Sequence, residues 1–355
     1  IAGSTREGES TCLPGSVRGS GWWGLRRSHV RVWVPYREFA VDVESLGSDV
    51  DADVFSGEEV PASIGQVEFF VAPYTFKPPS LAVTARMPSL RVLQTLTAGY
   101  DHVLPYLPDG VTLCNARGVH DASTAELALT LILSSLRGIP DFVVGQQREE
   151  WRHADYPALA DKTVLILGYG SIGGAIERRL LPFETQVIRV ASKARPDEEV
   201  HGADELAGLL PHADVVIVIT PLTPATRQLV DTEFLANMRD GALLVNVSRG
   251  GVVDTDALVA ELQSGRLRAA LDVTDPEPLP AGHPLWRAPG VLISPHVGGN
   301  SSAFLPRAQR LVREQVARYV KGQPVENVVA GPPSTAPESA VSTMSSRTSG
   351  SAPAD

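Results

Sequence analysis

The sequence predicts an α/β protein built on doubly wound parallel sheets, and three observations carry that prediction. Apolar runs of strand length alternate with helical patterns through the middle of the chain. The later runs are nearly continuous in apolar residues, as parallel strands are when helices cover both faces. A glycine-rich stretch, "ILGYGSIGGAI" (166–176), joins one such run to a helical pattern.

Taken in order, residues 1–27 are rich in Gly, Ser and Arg without periodicity and are expected to be disordered, although Trp22 and Trp23 offer packing surface. "HVRVWV", "VEFFVA" and "LRVLQTL" read as strands of a smaller unit. "STAELALTLILSSLR" (123–137) has helical length and spacing, with Ser123 or Thr124 as N-cap before Glu126, and links this unit to the next. "KTVLILG", "TQVIRVA", "ADVVIVIT", "GALLVNVS", "LRAALDV" and "VLISPHV" read as strands of a larger unit. "SAFLPRAQRLVREQVARYVKG" (302–322) is a second long helix returning the chain to the first unit, with Pro306 tolerated only in its first turn. The first domain is therefore discontinuous, 28–117 with 300–328, around a second at 118–299. Residues 329–355, rich in Pro, Ser, Thr and Ala, are expected to be a disordered tail.

At 355 residues and 43% hydrophobic, the chain has the size and composition of two globular domains. A formal net charge of −10 offers no general attraction to nucleic acid or an anionic membrane, so any anion must be held by a local pocket. Cys12 and Cys114 stand apart from any CxxC or Cys/His cluster, so neither a disulfide framework nor a metal site is expected. No apolar run reaches membrane-spanning length and no secretory h-region opens the chain, which together suit a cytoplasmic setting.

Gly168, Gly170 and Gly173 form G-x-G-x-x-G between an apolar strand and a helix. The first glycine permits a tight turn, the second lets the backbone approach a pyrophosphate, and the third lets helix pack on strand. The helix N-terminus at Ser171 and Ile172 offers N–H groups and a positive dipole end to phosphates. In such units an acid about 20 residues further on holds the adenosine ribose. Here "VIRVASKAR" (187–195) has Ala191 at the strand end instead, followed by Ser192, Lys193 and Arg195. A hydroxyl and two cations suit a 2′-phosphate, so NADP(H) is expected in preference to NAD(H), which remains possible. Solvated loop charges with no preference are the plainer reading of the same residues.

Three later segments, "LLVNVSRGGVVDTDAL" (243–258), "ALDVTDPEPLPAGHPLW" (270–286) and "VLISPHVGGNS" (291–301), each place a polar residue beyond an apolar strand. Ligands of open α/β sheets gather there. Arg249 can grip a carboxylate in fork geometry, His296 can exchange a proton with a hydroxyl or carbonyl oxygen, and Glu277 can hold the other ring nitrogen. Singly each has an ordinary structural role. Together they describe hydride transfer at a carbon next to a carboxylate.

With "TPLTPATRQLVD", "FLANMRDGALLVNVSRGGVVD", "LDVTDPEPLP" and "SPHVGGN" added to the glycine motif, the chain resembles the D-isomer-specific 2-hydroxyacid dehydrogenases over residues 30–328. The resemblance implies two Rossmann-like domains with the active site in the cleft between them, usually a homodimer, and an Arg249, Glu277, His296 triad. It implies that the loop "TLTAGYDHV" (95–103) binds the substrate carboxylate through backbone N–H groups around Ala98 and Gly99, and that Asp272 faces the nicotinamide carboxamide. Thr220, Pro221, Val247 and Gly298 are expected along the cofactor groove, and Tyr74 or Phe76 near the substrate side chain. No regulatory module is expected beyond residue 328, unlike the large phosphoglycerate dehydrogenases.

The reading is an NAD(P)-dependent oxidoreductase acting on a small 2-oxo or 2-hydroxy acid such as glyoxylate or hydroxypyruvate. Within the family, phosphoglycerate and phosphite oxidation are alternatives, whereas formate dehydrogenases carry Gln where Glu277 stands. A dinucleotide-sensing, corepressor-like binding protein is the alternative from another class.

Overall fold

The computed structural model describes residues 29–75 and 79–332, and the expected disorder at 1–27 and beyond 332, together with Trp22, Trp23 and Phe76, lies outside the described residues. Its strands are β1 (Val30–Val34), β2 (Val50–Val54), β3 (Val67–Val71), β4 (Val92–Gln94), β5 (Thr112–Cys114), β6 (Thr163–Leu167), β7 (Gln186–Ala191), β8 (Val200–Gly202), β9 (Val215–Val218), β10 (Leu243–Asn246), β11 (Arg268–Leu271), β12 (Val291–Ile293) and β13 (Val328–Ala330). Its helices are α1 (Arg37–Glu44), α2 (Pro79–Ala82), α3 (Asp121–Leu136), α4 (Ile139–Gln147), α5 (Ser171–Leu180), α6 (Leu206–Leu209), α7 (Thr232–Asn237), α8 (Thr255–Gln263) and α9 (Phe304–Val320). No single helix among the described residues is long and apolar enough to cross a membrane.

Two sheets result. One has the order β13-β5-β4-β3-β1-β2, the other β12-β11-β10-β9-β6-β7-β8. The second is parallel throughout, and β6, β9, β10 and β11 are almost wholly buried because helices cover both faces. Strand order reverses at β6, which opens a crevice beside the carboxyl ends of β6 and β9.

The long helices follow their sequence pattern with one difference. In α9, Phe304, Ala308, Val312, Val316 and Tyr319 form one buried stripe against β1, β3 and α1, each large aliphatic contributing about 1.5–3 kcal/mol on burial. Pro306 falls in its first turn, where no intrahelical N–H is lost. The start of α3 differs from the expected cap: the helix begins at Asp121 after His120, whose carbonyl accepts from the Thr124 N–H at 2.9 Å and the Ser123 hydroxyl at 3.2 Å. Asp121 places its carboxylate at the positive end of the helix, so Ser123 and Thr124 lie inside the first turn.

The expected tail also begins later. Val328–Ala330 pair antiparallel with β5, covering an edge that would otherwise expose unpaired backbone groups. The Pro/Ser/Thr-rich composition starts only after this strand.

Candidate active site

A cleft of about 350 Å³ lies between the two sheets, lined from one side by 97–101 and Asn115 and from the other by the glycine turn, Thr220, Arg249, Asp272 and His296. Each wall is set by a strand end. The turn after β6 carries Gly168 at φ +114, where a side chain is excluded because a Cβ would sit 2.6 Å from the Ile219 carbonyl. A Cβ on Gly173 would fall 2.7 Å from the Gly168 oxygen, so α5 packs on the turn only through glycine. Gly170 has nothing within 4 Å of its Cβ direction and opens onto the cleft.

These features fit a nicotinamide dinucleotide. The N-terminus of α5 at Ser171, Ile172 and Gly173 faces the cleft, the open side of Gly170 admits a pyrophosphate, and the buried Thr220 hydroxyl has no hydrogen-bond partner within the protein. Pro221 and Val247 line the same wall. Asp121 reaches from the start of α3 to accept a hydrogen bond from the Ser171 hydroxyl, tying the two helix N-termini together.

Ser192, Lys193 and Arg195, which follow the end of β7, are not part of the cleft lining. Arg195 donates to the Tyr169 carbonyl at 2.9 Å and to Glu198 at 3.0 Å. Arg189, the other cation of that stretch, points inward: it binds the buried Glu177 carboxylate at 2.7–2.8 Å. Tyr169 donates its hydroxyl to the same carboxylate, and burial together with that bond raises its pKa. The two guanidiniums lie 5.7 and 5.9 Å from the Tyr169 ring.

On the opposite wall, the carbonyls of 97–99 are all occupied. Thr97 accepts from Thr95 and Ala116, Ala98 from Asn115 Nδ2 at 2.7 Å, and Gly99 from the Thr97 hydroxyl at 2.7 Å. This loop lines the cleft with its carbonyls already engaged by the protein.

Arg249 crosses from the end of β10 to that loop. Its Nε donates to Asp101 at 3.1 Å and its Nη1 to the Ser248 carbonyl at 2.8 Å. Its Nη2 lies only 1.8 Å from where a Cβ on Gly99 would sit, so glycine is what lets the guanidinium rest against the loop. Across the cleft, His296 Nδ1 meets Glu277 Oε1 at 2.5 Å. A carboxylate only accepts, so Nδ1 carries the proton toward Glu277, and Nε2 is the ring nitrogen on the side away from Glu277. His296 holds φ +52 because its N–H bonds the Asp272 carbonyl at 2.7 Å while the next two N–H groups bond the Asp272 carboxylate at 2.9 Å each.

Asp272 is thus the fastener of the His296 loop. It is buried, and with Ser294 donating at 2.6 Å its two oxygens accept three hydrogen bonds, one from the Gly298 N–H. About one acceptor position is left over for a cofactor amide. Behind this loop, His120 packs beside Tyr74 and Phe304 in a three-ring cluster, its centroid 5.6 and 5.2 Å from theirs and theirs 4.4 Å from each other, and its Nε2 donates to the Leu96 carbonyl at 2.7 Å. Burial, the largest influence, lowers the His120 pKa, against the opposing pull of the Leu96 and Gly299 carbonyls.

Of the residues singled out in the sequence, Tyr74, Ala98, Gly99, Gly168, Gly170, Ser171, Ile172, Gly173, Thr220, Pro221, Val247, Arg249, Asp272, His296 and Gly298 meet in this cleft, with Glu277 behind His296. Asp101, Asn115, His120 and Asp121 also line it, and no sequence motif marks them. Asp101 lies inside the quoted "TLTAGYDHV", but its partner is 148 residues away, and no local pattern carries that pairing.

The family model described as "D-isomer specific 2-hydroxyacid dehydrogenase, NAD binding domain" matches residues 129–298. The human glyoxylate reductase/hydroxypyruvate reductase is 33% identical over 250 residues, 67% of this chain and 76% of that protein. A D-isomer specific 2-hydroxyacid dehydrogenase from Xanthobacter autotrophicus Py2, solved with NADPH and MES, is 30% identical with a TM-score of 0.72 over 85% of this chain and 98% of that one. An NADPH-dependent glyoxylate/hydroxypyruvate reductase from Sinorhizobium meliloti, solved with NADP and sulfate, is 28% identical with a TM-score of 0.71 over 84% of this chain and 98% of that one.

Proposed function

The chain belongs to the D-isomer-specific 2-hydroxyacid dehydrogenases, NAD(P)-dependent oxidoreductases of CH–OH groups, and from that premise we propose that it is an NADPH-preferring reductase of small 2-oxo acids such as glyoxylate or hydroxypyruvate. The observation that carries the proposal is the 2.5 Å His296–Glu277 pair in the cleft that also holds Arg249.

When bound, the nicotinamide cofactor supplies the hydride. Arg249, steadied by Asp101, binds the carboxylate end of the substrate together with the Ala98 and Gly99 backbone. His296 in its imidazolium form gives a proton from Nε2 to the carbonyl oxygen, so that hydride and proton together complete the alcohol; in the oxidising direction it takes that proton back. Glu277 fixes the ring and stabilises its charge from the far side. The Ser192, Lys193 and Arg195 cluster at the end of β7, where the ribose-binding acid is replaced by Ala191, supports the preference for NADPH.

A homodimer belongs to the same reading. Ile139, Phe142, Val143 and Val144 of α4 and Trp151, which is 96% exposed, leave an apolar strip on the surface. The direct test is His296→Gln assayed by NADPH absorbance with glyoxylate. Loss of general acid–base assistance is expected to lower kcat by about 100-fold or more. Near-normal turnover would remove the mechanism.

A further inference from the structure

The outer face of the glycine turn carries a feature that the 2′-phosphate reading does not use. Arg195, the cation placed to meet that phosphate, already has an anionic partner: Glu198 accepts from its Nε at 3.0 Å. The pairing is built into the loop. Arg189 is locked on the buried Glu177, and its Nη1 donates to the Glu198 backbone carbonyl at 3.1 Å. The Glu198 N–H donates to the Arg195 carbonyl at 3.0 Å, and Arg195 and Val200 exchange two backbone bonds at 2.8 and 3.1 Å. Glu198 is therefore held against Arg195 by a short, closed turn, while its side chain remains 60% exposed.

We propose that Glu198 is a specificity-determining residue that occupies Arg195 in place of the 2′-phosphate and so limits the preference for NADPH over NADH. This rests on the reading of Ser192, Lys193 and Arg195 as the 2′-phosphate site. A phosphate monoester brings about −1.5 to −2 charge. Arriving at Arg195 it must displace the Glu198 carboxylate or tolerate it as a like charge, whereas a ribose with a free 2′-hydroxyl meets neither cost. The Tyr169 carbonyl holds the other side of the guanidinium at 2.9 Å, so Arg195 keeps its place when Glu198 is removed. The residue thus works as an internal competitor, and its loss strengthens a ligand's binding.

The test is equilibrium binding of NADPH and NADH by fluorescence titration, with 2′,5′-ADP and 5′-AMP titrated by calorimetry, on wild type, E198Q, E198A and R195A. Removing an exposed ion-pair competitor is expected to tighten NADPH and 2′,5′-ADP by about two- to fivefold in both Glu198 variants, leaving NADH and 5′-AMP unchanged. The gain is expected to shrink at about 0.5 M salt, where exposed charges are screened. R195A is expected to weaken NADPH and 2′,5′-ADP selectively. If R195A does so and neither Glu198 variant tightens them, the competitor role is overturned and the 2′-phosphate site stands. If R195A leaves the NADPH to NADH ratio unchanged, the site reading itself fails and takes the inference with it.

Discussion

Gly99→Ala isolates the contact on which the proposed carboxylate-binding end of the site depends. Gly99 has no positive φ, so alanine is compatible with its backbone. The added Cβ nevertheless lands 1.8 Å from Arg249 Nη2 and 2.6 Å from Cζ. Restoring ordinary contact of about 3.5 Å moves the guanidinium by roughly 1.5–2 Å, away from the loop and off the 3.1 Å bond to Asp101. The displaced group is the end of a flexible side chain at a cleft, so folding is spared while its position is lost. A misplacement of about 1 Å costs on the order of 100-fold in rate, about 2.7 kcal/mol. Steady-state kinetics with glyoxylate and NADPH is expected to give kcat/KM for the oxo acid lowered by about 100-fold, with NADPH binding and Tm unchanged. A kcat/KM within threefold or so of wild type would refute the claim that the Gly99–Arg249 contact positions the carboxylate-binding group.

Two further perturbations separate structure from function elsewhere. Gly168→Ala combines a φ of +114 with a Cβ at 2.6 Å from Ile219 and is expected to lower Tm by about 5 °C or more, whereas Gly170→Ala, with open space around it, is expected to keep Tm and weaken NADPH binding by about tenfold; equal effects on both measurements would contradict the assignment of the two glycines. His120 has a lowered pKa in the fold, so the unfolded chain takes up a proton first as pH falls below about 6.5. Stability is therefore expected to be full above that pH and to decline toward the folded pKa. His120→Phe, which keeps the stack but loses the Leu96 bond, should start less stable at pH 7.5 and lose less on going to pH 5; identical Tm slopes would rule out this linkage.

Much of the scaffold is legible in sequence because β6, β9 and β10 are buried on both faces and read as unbroken apolar runs. The elements that escape notice lack that signal. Strand β2, "VDADV", alternates charge at a sheet edge, with Asp51 and Asp53 paired to Arg31, and β5, β8 and β13 span three residues each. At the site, glycine spacing marks the turn, and strand-end polar residues mark Arg249, Glu277 and His296. What sequence does not carry is which way a charged side chain turns. Arg189 and Arg195 look alike in "VIRVASKAR", yet one is drawn inward to Glu177 and the other stays outside on Tyr169 and Glu198. Asp101 and Asn115 matter through partners on other segments, Arg249 and Ala98, and acquire meaning only once those segments meet.

The most direct test of the central claim is the initial rate of NADPH and of NADH consumption, side by side, with glyoxylate and hydroxypyruvate. Both acids are expected to be reduced, hydroxypyruvate to the D-hydroxy acid, with NADPH the better cofactor. Absence of turnover above the enzyme-free rate with either cofactor would contradict the claim, and a preference for NADH would contradict its cofactor half.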